Sequence, residues 1–461
     1  MQENILKGGT GRTENNGPLL FSNAALRALI IPLIIEQILA ITIGMADTMM
    51  VSYVGEAAVS GVSLVDSINV VLIQVFSAMA IGGSIVASQY LGKDDPVNAR
   101  GAARQLIYSS TGIALIITAL AMPFSSQILG AIYGNIEADV MENAQKYFAL
   151  SVASYPFLAL TNAGTSIYRV VGKSRITMYV SVVMNVVHII GNVIAIYMLD
   201  WGAMGAGVST LITRITGAAI VVLLLRRPGQ VMFMDKLYRV KLEFKMIKQL
   251  MRMGIPNALE NSLFHVGRLI ISTLVSSLGT TAIAANAVCS QVSNMVNVVG
   301  NGIGAGILTV ISRCVGAGDY RQTKYYVKKL VLLAYAAAVV MDILMLAFNK
   351  QIISLYGLSH EGRAMAQEII IYILIANVLF WVPSFPFANV LRGAGDVKYT
   401  MYVSFISMFA FRVGLCYFFV LSMDLGLLGV YLGMIADWAF RGIFFAARYF
   451  SGKWMGKKVI D

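Results

Sequence analysis

Six acidic residues lie inside stretches of the sequence that are otherwise apolar. They are Glu36, Asp47, Asp66, Glu260, Asp342 and Asp437. A charged side chain at the centre of a bilayer costs about 2.5–3.5 kcal/mol on insertion scales, and such residues often line ion or substrate pathways. Each of the six is therefore a candidate for binding a proton, a metal cation or a cationic ligand.

The sequence around these acids is that of a polytopic membrane protein. It has 461 residues, of which 58% are hydrophobic and 13% charged, whereas a soluble domain carries about 25% charged residues. Twelve apolar stretches recur between Leu26 and Tyr449, and each can cross a hydrocarbon core about 30 Å thick. Because a segment in lipid must satisfy its backbone internally, the composition predicts an all-α protein with twelve transmembrane helices.

The basic residues predict the orientation. If both termini are cytoplasmic, only Lys146, Lys350 and Arg363 fall on the outer side, and the basic stretch 226–252 faces the cytoplasm, as the positive-inside rule requires. This bias accounts for the net charge of +12, so no nucleic-acid partner is expected. We expect a monomer that spans the cell (plasma or inner) membrane several times, in contact with membrane lipid.

The chain contains an internal repeat. "GKSRITMYVS" at 172–181 pairs with "GDVKYTMYVS" at 395–404, and "IPLIIE" at 31–36 pairs with "IPNALE" at 255–260. Offsets of 222 to 224 across both halves indicate a duplicated unit of six helices, a common architecture of transporters. Because six is even, we expect two parallel, pseudo-symmetric lobes. The predicted domains are a cytoplasmic tail 1–25, an N-lobe 26–225, a basic linker 226–249, a C-lobe 250–449 and a tail 450–461.

The repeat distinguishes acids that occur in both halves of the chain from acids that occur in only one half. At an offset of 224, Glu36 pairs with Glu260, whereas Asp47 pairs with Ile271. An acid that is present in one lobe only cannot serve the shared scaffold, so Asp47 is the first candidate for a coupling site. We expect Glu36 and Glu260 to line a substrate cavity. Arg268, about two helical turns beyond Glu260, is placed to neutralise part of its charge.

The fifth span adds a second polar pair. His188 and Asn192 are four residues apart in "NVVHIIGN", so they share one face of a helix. An imidazole titrates near neutrality and suits a proton site. A histidine on an apolar helix is more often a core residue, so the binding interpretation depends on whether the pair lies near an acid.

At these residues the chain resembles the multidrug and toxic compound extrusion (MATE) transporters. The similar stretches are "GMADTMMVSYVGEAAVSGV", "YRVVGKSR", "MGAGVST" and "NVLRGAGDVKYT". The resemblance implies two lobes of six helices and export of organic cations in exchange for Na⁺ or H⁺. It makes Asp47 the cation-coupling acid and places His188, Asn192 and Thr210 in the same cluster. Na⁺ would bind at Asp47, Asn192 and Thr210.

The sequence departs from the family pattern in two ways. His188 and Asn192 stand where some members have Asn and Asp, which removes one carboxylate and favours H⁺ over Na⁺ without excluding Na⁺. Phe264 stands where some members carry a second-lobe acid. We therefore expect coupling in the N-lobe only.

The predicted function is secondary active antiport. We expect a small amphiphilic substrate, cationic in charge, and no cofactor besides the coupling ion. Two alternatives stay open: a lipid-linked sugar flippase of the same superfamily, which would have an arginine-rich cavity, and a membrane-embedded enzyme. No HExxH, GxSxG or Walker loop occurs in the sequence, so it lacks these recognisable catalytic motifs and is not expected to be an enzyme.

Overall fold

The computed structural model describes residues 19–134, 136–234, 237, 240–457 and 459–460. This part of the chain contains no β-strand and forms twelve long helices, which confirms the all-α prediction. They are α1 Asn23–Ser52, α2 Glu56–Gly92, α3 Pro96–Ala121, α4 Ala138–Val170, α5 Ser174–Met198, α6 Gly202–Leu225, α7 Phe244–Ser276, α8 Thr280–Gly316, α9 Tyr320–Ser354, α10 His360–Gly393, α11 Val397–Ser422 and α12 Gly426–Phe450. A short helix, Ser125–Tyr133, lies between α3 and α4.

Ten of these helices are long and apolar enough to cross a membrane, among the described residues. The other two are α4 and α7, whose first turns carry charged residues such as Asp139 and Lys245. Helix α7 begins at Phe244, inside the predicted linker 226–249. Of that linker, residues 235–236 and 238–239 lie outside the described residues, as do 1–18, 458 and 461 of the predicted tails.

The described chain divides into two compact units. The N-unit comprises Ile35–Ala258 with Ile460, and the C-unit comprises the described residues up to Ile34 together with Leu259–Val459. The units therefore differ from the predicted lobes 26–225 and 250–449: the beginning of α1 belongs to the C-unit and the beginning of α7 to the N-unit.

Glycines permit close packing of the beginning of α7 within the N-unit and of the beginning of α1 within the C-unit. Within the N-unit, a Cβ atom on Gly82 of α2 would lie 2.5 Å from the backbone nitrogen of Gly254 in α7. Within the C-unit, a Cβ atom on Gly302 of α8 would lie 2.8 Å from Cα of Ile34 in α1. Only a residue without a side chain permits such close backbone contact, so these two glycines allow the first parts of α7 and α1 to pack closely within their units.

The repeat is visible in the backbone. Asp200 and Asp424, 224 positions apart, both have φ of +52° at the turns before α6 and α12. Aspartate is one of the few residues that tolerates this left-handed conformation. Asp95 and Asp319 are related by the same offset and cap α3 and α9, accepting hydrogen bonds from the backbone N–H groups of Asn98 (3.0 Å) and Gln322 (2.8 Å). The bond from Asn98 also holds the pKa of Asp95 below its usual value.

The core of the N-unit fixes the helices that carry its polar residues. Helices α2, α4 and α6 pack on one another around the buried rings of Phe76, Phe148 and Tyr155, and α5 packs against α6. Asn192 ends the regular part of α5, and a π-helical turn, Val193–Met198, follows it. Such a turn changes the direction in which side chains leave a helix and is frequent at functional sites.

Candidate functional site

Asp47 of α1 is in contact with both polar residues of α5. Its Oδ1 lies 3.0 Å from Nε2 of His188 and accepts a hydrogen bond of 2.7 Å from Nδ2 of Asn192. The side chain of Asp47 is 25% exposed and that of His188 is 12% exposed. The two residues that share a helix face thus converge on one carboxylate oxygen, which makes a compact, partly buried acid–imidazole pair.

Helix α6 supplies the environment of the other imidazole nitrogen. Nδ1 of His188 lies 3.4 Å from the hydroxyl oxygens of both Ser209 and Thr213. Ser209 also donates a hydrogen bond of 2.9 Å to the backbone carbonyl of His188. These hydroxyls can donate to a neutral imidazole or accept from a protonated one, so the site can hold His188 in either charge state.

Asn192 is fully buried, and among the described residues only the amide nitrogen of its side chain has a hydrogen-bond partner. Its Nδ2 contacts Asp47, while its Oδ1 has no hydrogen-bond partner among the described residues. A buried polar atom without a partner is unusual in folded proteins and calls for an explanation. An oxygen acceptor next to a carboxylate is the pair of ligands that a hard cation prefers.

A second acid of the N-unit belongs to a separate network. Oδ1 of Asp66 accepts hydrogen bonds from Asn69 (3.0 Å) and from the hydroxyl of Tyr147 (3.1 Å), and the Tyr155 hydroxyl donates to Oδ1 of Asn69 at 2.8 Å. Arg214 of α6 donates to the hydroxyl of Ser154 in α4 at 2.6 Å. These hydrogen bonds join α2 to α4, and Arg214 joins α6 to α4.

Glu36 and Glu260 are both paired with arginines. Glu36 accepts from Arg169 and, at 3.1 Å, from the hydroxyl of Thr177. Glu260 accepts from Arg392 and from the hydroxyl of Ser404, each at 2.6 Å. The arginine that neutralises Glu260 is therefore Arg392. Arg268 makes no ion pair with Glu260 among the described residues, and partial neutralisation of Glu260 by Arg268 stays a prediction.

The C-unit buries one acid between two arginines. Asp437 is fully buried and pairs with Arg441 at 2.9 Å and with Arg412 at 3.4 Å. Both guanidinium groups lie over the ring of Phe264, at 5.2 and 5.3 Å from its centre. Phe264 thus stacks on cations at the position where the resemblance places an acid. The cluster carries one positive charge in excess.

The structure brings together three of the four predicted coupling residues, and Glu36 and Glu260 lie in separate ion pairs. Asp47, His188 and Asn192 are in contact. Thr210 makes no hydrogen bond among the described residues, and Arg268 makes no hydrogen bond or ion pair there. Sequence reasoning missed Ser209 and Thr213, although their spacing of four residues on α6 would have placed both on one face. Among the described residues no group of three His, Cys, Asp or Glu side chains could hold a metal ion.

The fold and the buried ionisable residues define a polytopic membrane transporter. The MatE family model matches residues 32–194 and 256–418, two ranges that are themselves related by the offset of 224. The chain belongs to this family, the MATE transporters, whose members are transporters and not enzymes.

Similar proteins extend along almost the whole chain. It is 29% identical to the uncharacterized transporter YisQ of Bacillus subtilis, with 94% of this chain and 95% of that protein covered. It is 25% identical to the probable multidrug resistance protein NorM of Thermotoga maritima, over 94% and 93%. A crystal structure of MATE in the straight conformation has a TM-score of 0.85 and 19% identity and covers 98% of both chains. That structure shows the fold, including its two lobes.

Proposed function

We propose that the protein is a secondary active antiporter that exports amphiphilic organic cations in exchange for protons. The observation that carries this proposal is the 3.0 Å contact between Asp47 and His188 inside a span of the N-unit. Multidrug resistance is the property in the name of the relative from Thermotoga maritima, the probable multidrug resistance protein NorM, and the fold is that of known MATE structures. We place both termini in the cytoplasm because of the distribution of lysines and arginines.

Asp47 and His188 can take up and release a proton, because hydrogen-bond partners are present for both charge states of His188. With Asp47 ionised, Nε2–H of a protonated His188 donates to Oδ1, and Nδ1–H has Ser209 and Thr213 as acceptors. When the pair loses its proton, one of these hydroxyls donates to Nδ1 instead. A ligand changes a conformational equilibrium only through different affinities for the two states. Proton binding to the pair therefore drives transport if one conformation holds α1 and α5 in contact and the other separates them.

Na⁺ is the alternative coupling ion. Its proposed oxygen ligands are Asp47, the hydroxyl of Thr210 and Oδ1 of Asn192, which has no hydrogen-bond partner in the described part of the chain. Asp47 supplies the one carboxylate that contacts His188 and Asn192 among the described residues, and one carboxylate is sufficient for one monovalent cation. His188 favours the proton, because a protonated imidazole next to Asp47 repels a metal cation and a neutral imidazole is a softer ligand than Na⁺ prefers.

The proposed substrate cavity includes Glu36, Glu260 and Arg268. A cationic substrate that approaches Glu36 or Glu260 must compete with Arg169 or Arg392 for the carboxylate. We therefore propose that these two acids contribute to substrate binding mainly when their ion pairs open. The substrate is a small amphiphile, and no cofactor besides the coupling ion is required.

Transport driven by separately imposed gradients tests the function. The purified protein is reconstituted in proteoliposomes, and uptake of a fluorescent organic cation is measured under a pH gradient alone and under a Na⁺ gradient alone. We expect uptake under the pH gradient and none in Asp47→Asn. Asp424→Asn is the matched control, since it also removes one carboxylate, and asparagine tolerates the φ of +52° at this exposed turn. Uptake under neither gradient would refute the antiport.

A second candidate, a lipid-linked sugar flippase, is favoured by one observation. Arg412 and Arg441 face a single carboxylate, Asp437, and the excess positive charge would suit a phosphate group. The distinguishing measurement is translocation of a fluorescent phosphate-bearing lipid compared with that of the organic cation in the same vesicles. We expect transport of the cation only.

A further inference from the structure

A groove of about 340 Å³ lies between α9 and α10 of the C-unit. Its lining consists of Asp342 and seven aliphatic side chains, among them Ile343, Leu346, Ile371 and Ile375. The volume lies within the roughly 300–1,000 Å³ that is typical of sites for small molecules. The groove is thus large enough for a ligand and carries one ionisable group.

Five of the seven aliphatic residues of the groove are exposed, whereas its acid is buried. Ile343 is 61% exposed, Leu346 58% and Ile375 56%, compared with 7% for Asp342. Exposed aliphatic side chains on membrane-spanning helices are expected to contact lipid, so we expect the groove to be open to molecules that are dissolved in the bilayer. The carboxylate lies beneath this apolar rim.

The protein does not neutralise Asp342. Nδ2 of Asn377 donates to both of its oxygens, at 2.9 and 3.1 Å, and no lysine, arginine or histidine pairs with it in the described part of the chain. Asn377 is itself fully buried, and its Oδ1 has no hydrogen-bond partner there. Asp47, Glu36, Glu260 and Asp437 differ in this respect, because each contacts a histidine or an arginine.

The pair is absent from the other repeat. At the offset of 224 that relates the helix caps Asp95 and Asp319, Asp342 corresponds to Thr118 in α3. The hydroxyl of Thr118 donates to the backbone carbonyl of Val152 in α4 at 2.9 Å. The equivalent helices therefore pack without a carboxylate, so Asp342 is not a requirement of the fold.

We propose that this groove is a binding site for a lipophilic organic cation that enters from the lipid bilayer. The cationic centre lies against Asp342, and the apolar groups of the ligand cover Ile343, Leu346 and Ile375. Charge complementarity identifies the ligand, since an unpaired carboxylate under an apolar rim attracts a cation far more strongly than in water. The site is separate from the Asp47 cluster, and binding there can be measured without transport, so its failure would leave the proposed antiport intact.

Photolabelling in nanodiscs tests the site. The full chain in phosphatidylcholine nanodiscs is irradiated with a diazirine-bearing triphenylphosphonium probe, and labelled peptides are identified by mass spectrometry. We expect labelling on α9 and α10 near the groove, reduced at least 10-fold in Asp342→Asn. Ile375→Trp, which fills the groove from an exposed position, should cause a similar loss. Leu332→Trp, equally exposed on α9 at 65% but outside the groove, should label like the wild type.

Three results would overturn the proposal. The first is unchanged labelling in both Asp342→Asn and Ile375→Trp. The second is equal labelling by an uncharged diazirine analogue of the probe, which would indicate an apolar surface only. The third is loss of labelling when phosphatidylethanolamine replaces phosphatidylcholine, which would assign the groove to the ammonium headgroup of a lipid. Size-exclusion profiles show whether the Asp342→Asn variant folds. If that variant does not fold, Ile375→Trp, which keeps the carboxylate, decides the outcome.

Discussion

Glu36 and Glu260 lie 224 positions apart, and each is held by an arginine from the fourth helix of its own repeat. Arg169 of α4 donates to Glu36, and Arg392 of α10 donates to Glu260. The two arginines are 223 positions apart, so the duplication copied the complete ion pair. A feature retained in both copies is expected to serve the shared scaffold, whereas the contact between Asp47 and His188 occurs in one copy only.

Replacing Asp47 by asparagine should abolish ion-driven export while the protein stays folded. The amide is nearly isosteric, and it removes the charge on which both His188 and Asn192 converge. We expect at least a 10-fold loss of gradient-driven transport in proteoliposomes and a size-exclusion profile like that of the wild type. Normal gradient coupling in Asp47→Asn would show that this acid is not the coupling residue.

The role of His188 can be separated from simple packing by changing the coupling ion. Export is measured at constant pH with Na⁺ replaced by choline, in the wild type and in His188→Asn. We expect wild-type export to persist without Na⁺, because a proton couples transport, and His188→Asn to lose at least 10-fold in pH-driven export. The proton interpretation fails if wild-type export collapses without Na⁺ and His188→Asn behaves like the wild type.

The hydroxyls of α6 distinguish between two versions of the site. Thr213 lies 3.4 Å from Nδ1 of His188, whereas Thr210 is the Na⁺ ligand that the resemblance implies. We expect Thr213→Val to reduce pH-driven export several-fold and Thr210→Val to have a smaller effect. Both substitutions preserve shape and remove one hydroxyl. A larger loss for Thr210→Val, together with a requirement for Na⁺, would support the sodium site.

Breaking the ion pair between Glu36 and Arg169 should destabilise the protein. The side chains are 14% and 29% exposed, and the loss of a hydrogen bond to a charged group costs about 1.5–3 kcal/mol. We expect Glu36→Gln to lower the thermal unfolding midpoint in detergent, and Glu36→Gln with Arg169→Gln to recover part of the loss. Binding of a cationic and a neutral substrate is compared in the same variants. A selective loss of affinity for the cationic substrate would support a place for Glu36 in the substrate cavity. An equal loss of affinity for both substrates would indicate a packing role alone.

The contact between α2 and α7 should tolerate no added side chain. A Cβ atom on Gly82 would lie 2.5 Å from the backbone of Gly254, whereas a Cβ atom on Gly112 would have no neighbour within 4 Å. We expect Gly82→Ala to destabilise the protein by about 1–3 kcal/mol through overpacking, seen as a lower unfolding midpoint. Gly112→Ala, also inside a helix, should change stability by less than about 1 kcal/mol. Equal midpoints for the two variants would contradict the close contact.

The helices and the duplication could be predicted from the sequence because each produces a direct pattern in the order of the residues. Apolar length specifies a transmembrane helix, and matching Gly, Pro and Asp residues reveal the repeat, with the same offset of 224 that separates the two matched family ranges. The grouping of His188 and Asn192 also follows from helical spacing. Their contact with Asp47 required the resemblance, because no rule of spacing relates residues that are 141 positions apart.

The partners of the other acids could not be derived from one helix at a time. The sequence places Arg268 on the same helix as Glu260, but the arginine in contact with Glu260, Arg392, comes from α10. The repeat held a usable signal, since Arg169 and Arg392 are themselves a repeated pair. Asn377 gave no such signal for Asp342, because π-helical turns such as the one it begins are not predicted from spacing.

The position at which each repeat begins has a consequence for biogenesis. The beginning of α1 packs within the C-unit, against residues such as Gly302 and Tyr326, and Tyr326 bonds the backbone of Phe21. The beginning of α7 packs within the N-unit. During synthesis, the first helix therefore enters the membrane well before its packing partners have been translated. A gene cut within codons 226–243 should yield two fragments that accumulate only when they are co-expressed, so the duplicated halves are no longer independent proteins.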